Sequence, residues 1–190
     1  MSVHEFDVIV VGGGHAGCEA ALAASRMGAK TLLLTMEKDR IAQMSCNPAI
    51  GGIAKGHLVK EIDALGGEMA RNTDRAGIQF RFINTSKGPA VRALRAQCDK
   101  QLYRDAMKTT LEQQENLSIA EGTVDRVLTH GGTVIGVVTG SGEQVTTRAV
   151  ILTSGTFLKG LIHIGMSRFP AGRAGEASAE HLSDCMRDFG

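Results

Sequence analysis

The 190-residue chain has no tryptophan, one tyrosine and only six phenylalanines, which argues against an aromatic-rich core. Its four cysteines, Cys18, Cys46, Cys98 and Cys185, form no CxxC pair and lack the clustered spacing of a structural zinc site. No metal centre is therefore expected, and the thiols read as reduced, in a cytoplasmic protein. Charge of either sign is not in excess: 21 Lys and Arg against 20 Asp and Glu leave +1. No global field marks a nucleic acid or a membrane as partner, so any such partner has to be met by a local patch. Long apolar runs are missing too. The longest early one, Val8 to Val11, is far too short to cross a bilayer, and no basic n-region with an apolar core opens the chain. There is no internal repeat and no low-complexity linker.

What the chain does have is glycine, 24 residues of it, and 43% apolar residues. That is enough to bury one sizeable core, in a single domain or a domain with the start of another. The glycines announce tight turns and close backbone approaches. The chain stops at Asp188-Phe189-Gly190 just after an apparent helix, which leads us to expect a piece of something longer.

Asp7 to Val11 is a continuous apolar run suited to a parallel strand buried on both faces. A glycine cluster ends it, and the Ala-rich stretch from Ala16 to Met27 reads as a helix with Gly28 at its left-handed C-terminal position. Thr31 to Leu34 reads as a second buried strand. Together these make a βαβ unit. Residues 36–88 are rich in Gly, Asn, Ser and charge, and predict long functional loops with one helix near Gly56 to Leu65. Pro89 then opens a predicted helix to about Gln114, its stripe formed by Val91, Leu94, Cys98, Leu102 and Ala106. After Asn116 come short β-rich segments, Leu117 to Ala120, Thr123 to Leu128, Val134 to Thr139 and Gln144 to Thr147, an antiparallel meander over 116–148. Ala149 to Leu152 returns to buried parallel-strand texture and meets Thr153-Ser154-Gly155-Thr156. Residues 156–190 read as the start of an inserted or substrate region.

The first chemical motif is Gly12-Gly13-Gly14-His15-Ala16-Gly17, which satisfies GxGxxG at 12, 14 and 17. Gly12 permits the turn, Gly14 removes the side chain that would keep a pyrophosphate away, and Gly17 lets helix and strand pack closely. The helix N-terminus supplies N–H groups for the anion. A dinucleotide is the expected ligand, and the meander before Ala149 favours FAD over NAD. Strand two does not end in the acid that usually holds the ribose; the nearest, Glu37, reads either as that acid or as a solvated loop residue, with Thr35 and backbone groups as its replacement. Cys46, in Gln43 to His57 beside Lys55 and His57, reads either as a nucleophile favoured by those cations or as a small buried residue. From Arg81 to Lys100, five cations face only Asp99, so this stretch is either a phosphate-holding patch or a solvated helix face. Asn84 to Pro89 adds backbone donors just before the predicted helix.

Four segments together resemble the MnmG/GidA family: Asp7 to Ala20 (DVIVVGGGHAGCEA), Met44 to Lys60 (MSCNPAIGGIAKGHLVK), Ile78 to Asp99 with NTSKGPAVRALRAQCD, and Gly155 to Gly175 with GTFLKGLIHIG and GRAG. SCNP and SKGP are more specific than the glycines. The resemblance implies the N-terminal portion of a longer protein, with an α/β FAD-binding domain of glutathione-reductase type over 1–190. It implies FAD contacts at Gly12, Gly13, Gly14, His15, Ala16 and Gly17, at Val124 near the adenine, and at Ala179, where the family often has serine. It also matches Cys46 to a catalytic cysteine. The implied reaction is FAD-dependent formation of 5-carboxymethylaminomethyl or aminomethyl uridine at the tRNA wobble position. Methylene-tetrahydrofolate would give the one-carbon unit, NADH the electrons at a site outside this chain, and glycine or ammonium the amine. The implied partners are tRNA, the GTPase MnmE and a second copy in a homodimer within a hetero-oligomer, in the cytoplasm and off the membrane. A general FAD-dependent oxidoreductase, a folate-dependent tRNA methyltransferase and a non-catalytic FAD-binding scaffold are the alternatives. The absence of CxxC speaks against the first, and SCNP and SKGP against the second.

Overall fold

A computed structural model describes residues 5–44, 47–172 and 178–189. In chain order, β1 (Phe6–Val11), α1 (His15–Arg26) and β2 (Thr31–Thr35) are followed by β3 (Ala49–Gly51), α2 (Lys55–Ala64), α3 (Met69–Ala76), β4 (Gly77–Ile83), β5 (Ala93–Cys98) and α4 (Lys100–Glu112). Then come β6 (Leu117–Glu121), β7 (Val124–His130), β8 (Thr133–Thr139), β9 (Gln144–Leu152), β10 (Leu161–Ile164), β11 (Ser167–Pro170) and α5 (His181–Arg187). The chain divides into two compact units, one built from the residues up to Asp39 and from Glu115 onward, the other from Arg40–Gln114.

The first unit is organised by a six-stranded sheet in the order β6-β2-β1-β9-β8-β7. β1 lies parallel to β2, with Val8 beside Thr31, and parallel to β9, with Val8 beside Ala149. Ile9 and Val10 are fully buried, as a strand covered on both faces requires. Ile9, Val11, Leu32, Leu34, Val124, Val137 and Val145 share one core cluster, and α5 closes on it with Leu182. Burying a leucine contributes about 1.5–3 kcal/mol, so residues 156–190, expected to begin another region, return part of themselves to this core. α1 packs on β1 and β2 and buries Cys18, Ala21, Leu22 and Ser25. Gly28 follows at φ +88°, the left-handed residue expected there.

Two strand readings change. β9 is one strand of nine residues rather than two segments: its first half pairs antiparallel with β8, Gly136 beside Thr146, and its second half parallel with β1. A single strand therefore belongs to the meander and to the parallel sheet. β6, expected in the meander, runs parallel to β2 at the sheet edge, Thr31 beside Leu117. The α/β class, with a mainly parallel sheet and an antiparallel meander, is that of the sequence reading.

The second unit is an antiparallel sheet in the order β3-β5-β4 with three helices. Over 36–88 the helix expected near Gly56 to Leu65 is present as α2, and where long loops were expected around it there are a second helix, α3, and two strands, β3 and β4. The single helix expected from Pro89 to Gln114 is instead a three-residue 3-10 turn at Pro89–Val91, then β5, then α4. Asp99 makes the break. Its carboxylate accepts a hydrogen bond from the Leu102 backbone N–H at 2.8 Å, the N-cap arrangement that starts a new helix. The phase shifts with it: α4 buries Tyr103, Met107 and Leu111, while Leu102, placed in the predicted stripe, is half exposed.

Candidate functional site

At the end of β1 the chain turns on Gly12, whose φ of +108° is one that side chains rarely adopt. A Cβ on Gly12 would also lie 2.7 Å from the Thr153 carbonyl oxygen. Gly17, in the first turns of α1, is closed more tightly, for its Cβ would fall 1.8 Å from the Gly12 carbonyl oxygen. The two glycines fix the turn and the helix against each other. Gly14 is different. It is the N-cap of α1 in extended backbone, and a Cβ there would meet nothing within 4 Å. Its missing side chain leaves open space rather than relieving an internal clash, which is what close approach by a ligand demands. α1 begins with no side-chain cap and no acid in its first turn, so its positive end carries no carboxylate of its own.

Thr153, just past β9, braces this turn. Its N–H donates to the Val11 carbonyl at 2.9 Å, and its hydroxyl lies 2.8 Å from the Val11 carbonyl oxygen and 3.0 Å from that of Gly12. The turn thus lies at the C-terminal end of β1, from which β2 leaves on one side and β9 on the other. In open α/β sheets a ligand is held at this topological switch point. The Thr-Ser-Gly-Thr sequence after a buried strand marked the place, but only the structure gives Thr153 its role. The residues present fit a pyrophosphate: a cradle that a Cβ at position 14 would begin to fill, at an uncapped helix start. His15, half-buried at the start of the helix, has its pKa pushed below 6.5 by burial, so it is neutral near pH 7 and adds no charge.

The other expected contacts sit differently. Thr35 is buried, its carbonyl accepts from the Gly122 N–H at 2.8 Å, and its hydroxyl lies 3.4 Å from the Glu37 carbonyl oxygen. Glu37 is exposed beyond the strand. A second acid, Glu121, ends β6 beside Thr35, and its carboxylate accepts from the Lys38 N–H at 2.8 Å. The Glu-Gly pair closing a strand was a signal the sequence reading passed over. Val124 is 2% exposed with its side chain in the core, which leaves its backbone as the part able to meet a ligand. Ala179 has both backbone groups engaged, its N–H with the Phe157 carbonyl at 2.8 Å and its carbonyl with the Lys159 N–H at 2.9 Å. Cys46 lies outside the described residues.

In the second unit the five cations expected on one patch or helix face are divided: Arg81 and Arg95 lie on strands, Lys87 and Arg92 flank the 3-10 turn, and Lys100 opens α4. Arg81 on β4 stands directly beside Arg95 on β5. Asn84 to Pro89 leads into the three-residue 3-10 turn, so no helix dipole stands behind it. The Asn84 amide donates to the Val91 carbonyl at 3.2 Å and closes the loop on itself. Charge also separates between the units. Arg40–Gln114 carries twelve Lys and Arg against seven Asp and Glu, net +5, while the rest carries nine against thirteen, net −4. The +1 of the whole chain conceals both. Among the described residues no group of three or more His, Cys, Asp or Glu is placed to hold a metal, and no helix is long and apolar enough to cross a membrane.

Comparison with known proteins supplies what geometry alone does not. The family model described as glucose inhibited division protein A matches residues 7–190. The chain is 62% identical over 186 residues to the tRNA uridine 5-carboxymethylaminomethyl modification enzyme MnmG of Geobacter sulfurreducens, covering 98% of this chain and 30% of that protein. The enzyme of the same name from Pelobacter propionicus matches to the same extent. Among solved structures, GidA of Aquifex aeolicus superimposes with a TM-score of 0.93 at 56% identity, over all of this chain and 31% of that one. The GidA-related protein of Thermus thermophilus, at 23% identity and a TM-score of 0.69, shares the fold. The chain spans about 30% of the length of the curated relatives it matches.

Proposed function

The chain belongs to the glucose inhibited division protein A family, and from that membership we propose that it is the FAD-binding part of an enzyme that modifies uridine in tRNA. The observation that carries the proposal is the glycine turn at the switch point of β1, open at Gly14 and braced by Thr153, in a chain 62% identical to an enzyme named for that modification. Gly12 to Gly17 hold the pyrophosphate against the start of α1, and the backbone at Val124 faces the adenine end. Ala179 contributes through its methyl group alone, since its amide and carbonyl are engaged. Glu37 or Glu121 receives the ribose hydroxyls at the end of β2. When bound, the flavin would supply hydride-transfer and one-electron chemistry, which amino-acid side chains do not.

The product is 5-carboxymethylaminomethyl or aminomethyl uridine at the wobble position. Methylene-tetrahydrofolate is the one-carbon donor, glycine or ammonium the amine, and NADH the reductant, bound outside this chain. The enzyme works in the cytoplasm as a homodimer with the GTPase MnmE. Cys46 is its nucleophile: the thiolate adds to C6 of the uracil, and the electron pair passed to C5 attacks the methylene carbon of methylene-tetrahydrofolate, one C–N bond breaking with its pair left on the folate nitrogen. Loss of the C5 proton expels the second folate nitrogen and leaves an exocyclic methylene at C5; the amine adds to that carbon and loses a proton, and the electron pair returned to the ring expels the thiolate from C6. Purified full-length protein should show flavin absorbance, and tRNA from cells lacking the gene should lose the modified nucleoside on hydrolysis. Unchanged nucleosides in that strain would defeat the assignment. A Cys46→Ser protein with normal flavin content that still restored the nucleoside would remove Cys46 from the chemistry and leave the rest standing.

A further inference from the structure

Arg81 and Arg95 are directly opposite neighbours across an antiparallel pair. Like charges so placed are unfavourable in a sheet, and a bound anion would relieve them. Among the described residues neither arginine has an ion pair or a side-chain hydrogen bond. Arg81 is exposed, on the edge strand, and Arg95 is half-buried on the central one. The Arg95 side chain leans over the turn into α2: its Cδ would lie 3.9 Å from a Cβ at Gly52. Gly52 accepts the N–H groups of Lys55 and Gly56 as α2 starts. That ten-residue helix has no side-chain cap and no acid in its first turn, and it begins with a third cation, Lys55. Lysine at a helix N-terminus is unfavourable by itself, since the positive end prefers an anion. The arginine pair, the uncapped helix start and the lysine that opens it all favour an anion, within a unit of net charge +5.

We propose that Arg81 and Arg95, with the start of α2 and Lys55, form a phosphate subsite that grips the backbone of the substrate RNA. The proposal rests on the tRNA reading above and deepens it. A phosphodiester suits the pair because each guanidinium presents forked donors to separate oxygens of one phosphate, and bound anion turns the cross-strand repulsion into attraction. An edge strand leaves room for a polymer to run past, which the closed glycine turn of the first unit does not require. Such contacts carry position and not sequence.

The test compares the full-length protein with Arg81→Gln, Arg95→Gln and the double variant, and with Arg71→Gln on α3 as a charge-matched control. Binding to unmodified tRNA is followed by fluorescence anisotropy across a salt series, with flavin absorbance and thermal midpoint recorded on each protein. Each subsite substitution should lower the slope of log affinity against log salt by about one and weaken binding roughly fivefold at moderate salt. Flavin content should hold, and the thermal midpoint without RNA should rise or stay, because repulsion has been removed. The control should move neither affinity nor slope. An unchanged slope in the double variant, or an equal fall in the control, overturns the subsite while the tRNA reading stands. Loss of flavin with intact tRNA affinity overturns it in favour of a cofactor phosphate. Failure of the unsubstituted protein to bind tRNA at any salt overturns both.

Discussion

The two units draw their informative residues from opposite ends of the size range. In the first, glycines serve a local motif: Gly12, Gly14 and Gly17 lie within six positions, and their spacing alone announces a turn between a strand and a helix. In the second, the informative residues are brought together by pairing across strands, Arg81 with Arg95 over fourteen positions of chain. The first unit is acidic overall, and the anion site proposed for it is built from backbone; the second is basic, and the one proposed for it is built from side chains. A ligand held by backbone depends on shape. One held by arginines depends on charge, and so on salt.

The largest expected effect tests that dependence on shape. Gly17→Ala puts a Cβ 1.8 Å from the Gly12 carbonyl oxygen and 2.8 Å from the Thr153 hydroxyl, so the helix start or the turn has to move. Overpacking against backbone of this kind costs about 3 kcal/mol or more, and a calorimetric scan should show a lowered transition with flavin lost. Gly14→Ala is the counterpart, with nothing within 4 Å to meet. Its stability should change by no more than about 1 kcal/mol, the scale of an altered N-cap, while flavin affinity falls. If Gly14→Ala retained flavin at full affinity, close approach at that glycine would be wrong and the two glycines would not differ in kind.

Thr153→Val comes next in size. The isosteric change removes the hydroxyl that lies against the Val11 and Gly12 carbonyls but keeps the backbone bond to Val11. Denaturant unfolding should register a loss of about 1–2 kcal/mol, with a smaller drop in flavin affinity than Gly14→Ala gives. In the second unit, Asp99→Ala removes the cap of α4 and should cost about 1 kcal/mol without touching flavin. A flavin effect from Asp99→Ala as large as that from Thr153→Val would dissolve the distinction between the units.

How much could be read in advance follows the same division. β1, α1 and β2 begin or end within one residue of their predicted limits, because an apolar run, a glycine cluster and an Ala-rich stretch are all local signals. The second unit was misread because Val91, Leu94 and Cys98 fall at spacings of three and four, which matches a helix. Yet Ala93, Ala96 and Cys98 are buried by sheet pairing, which no spacing within the segment reveals. Two signals were available: the alternation of Ile78-Gln79-Phe80-Arg81-Phe82, which is that of a strand, and Asp99, three residues before Leu102, which is that of an N-cap. In the site, the glycines were legible and the brace was not. Thr153 meets Val11 and Gly12 from more than 140 positions away, through the parallel pairing of β9 with β1.

The smallest effect sharpens the comparison through pH. Burial in the first unit holds His15 below 6.5, whereas burial in the second raises the thiol of Cys98 above 9.0. Both groups are kept neutral by the fold, but the consequences for stability have opposite directions. Below pH 6.5 an unfolded chain takes up a proton that native His15 refuses, so stability falls as pH drops from 6.5 toward the lowered native value. Above pH 9.0 the unfolded chain releases a proton that native Cys98 keeps, so stability falls as pH rises toward the raised native value. Thermal midpoints should therefore decline on both sides, the acid-side decline shrinking in His15→Gln and the alkaline one in Cys98→Ala. Should the acid-side decline persist undiminished in His15→Gln, or the alkaline one in Cys98→Ala, burial does not hold that group neutral in its unit.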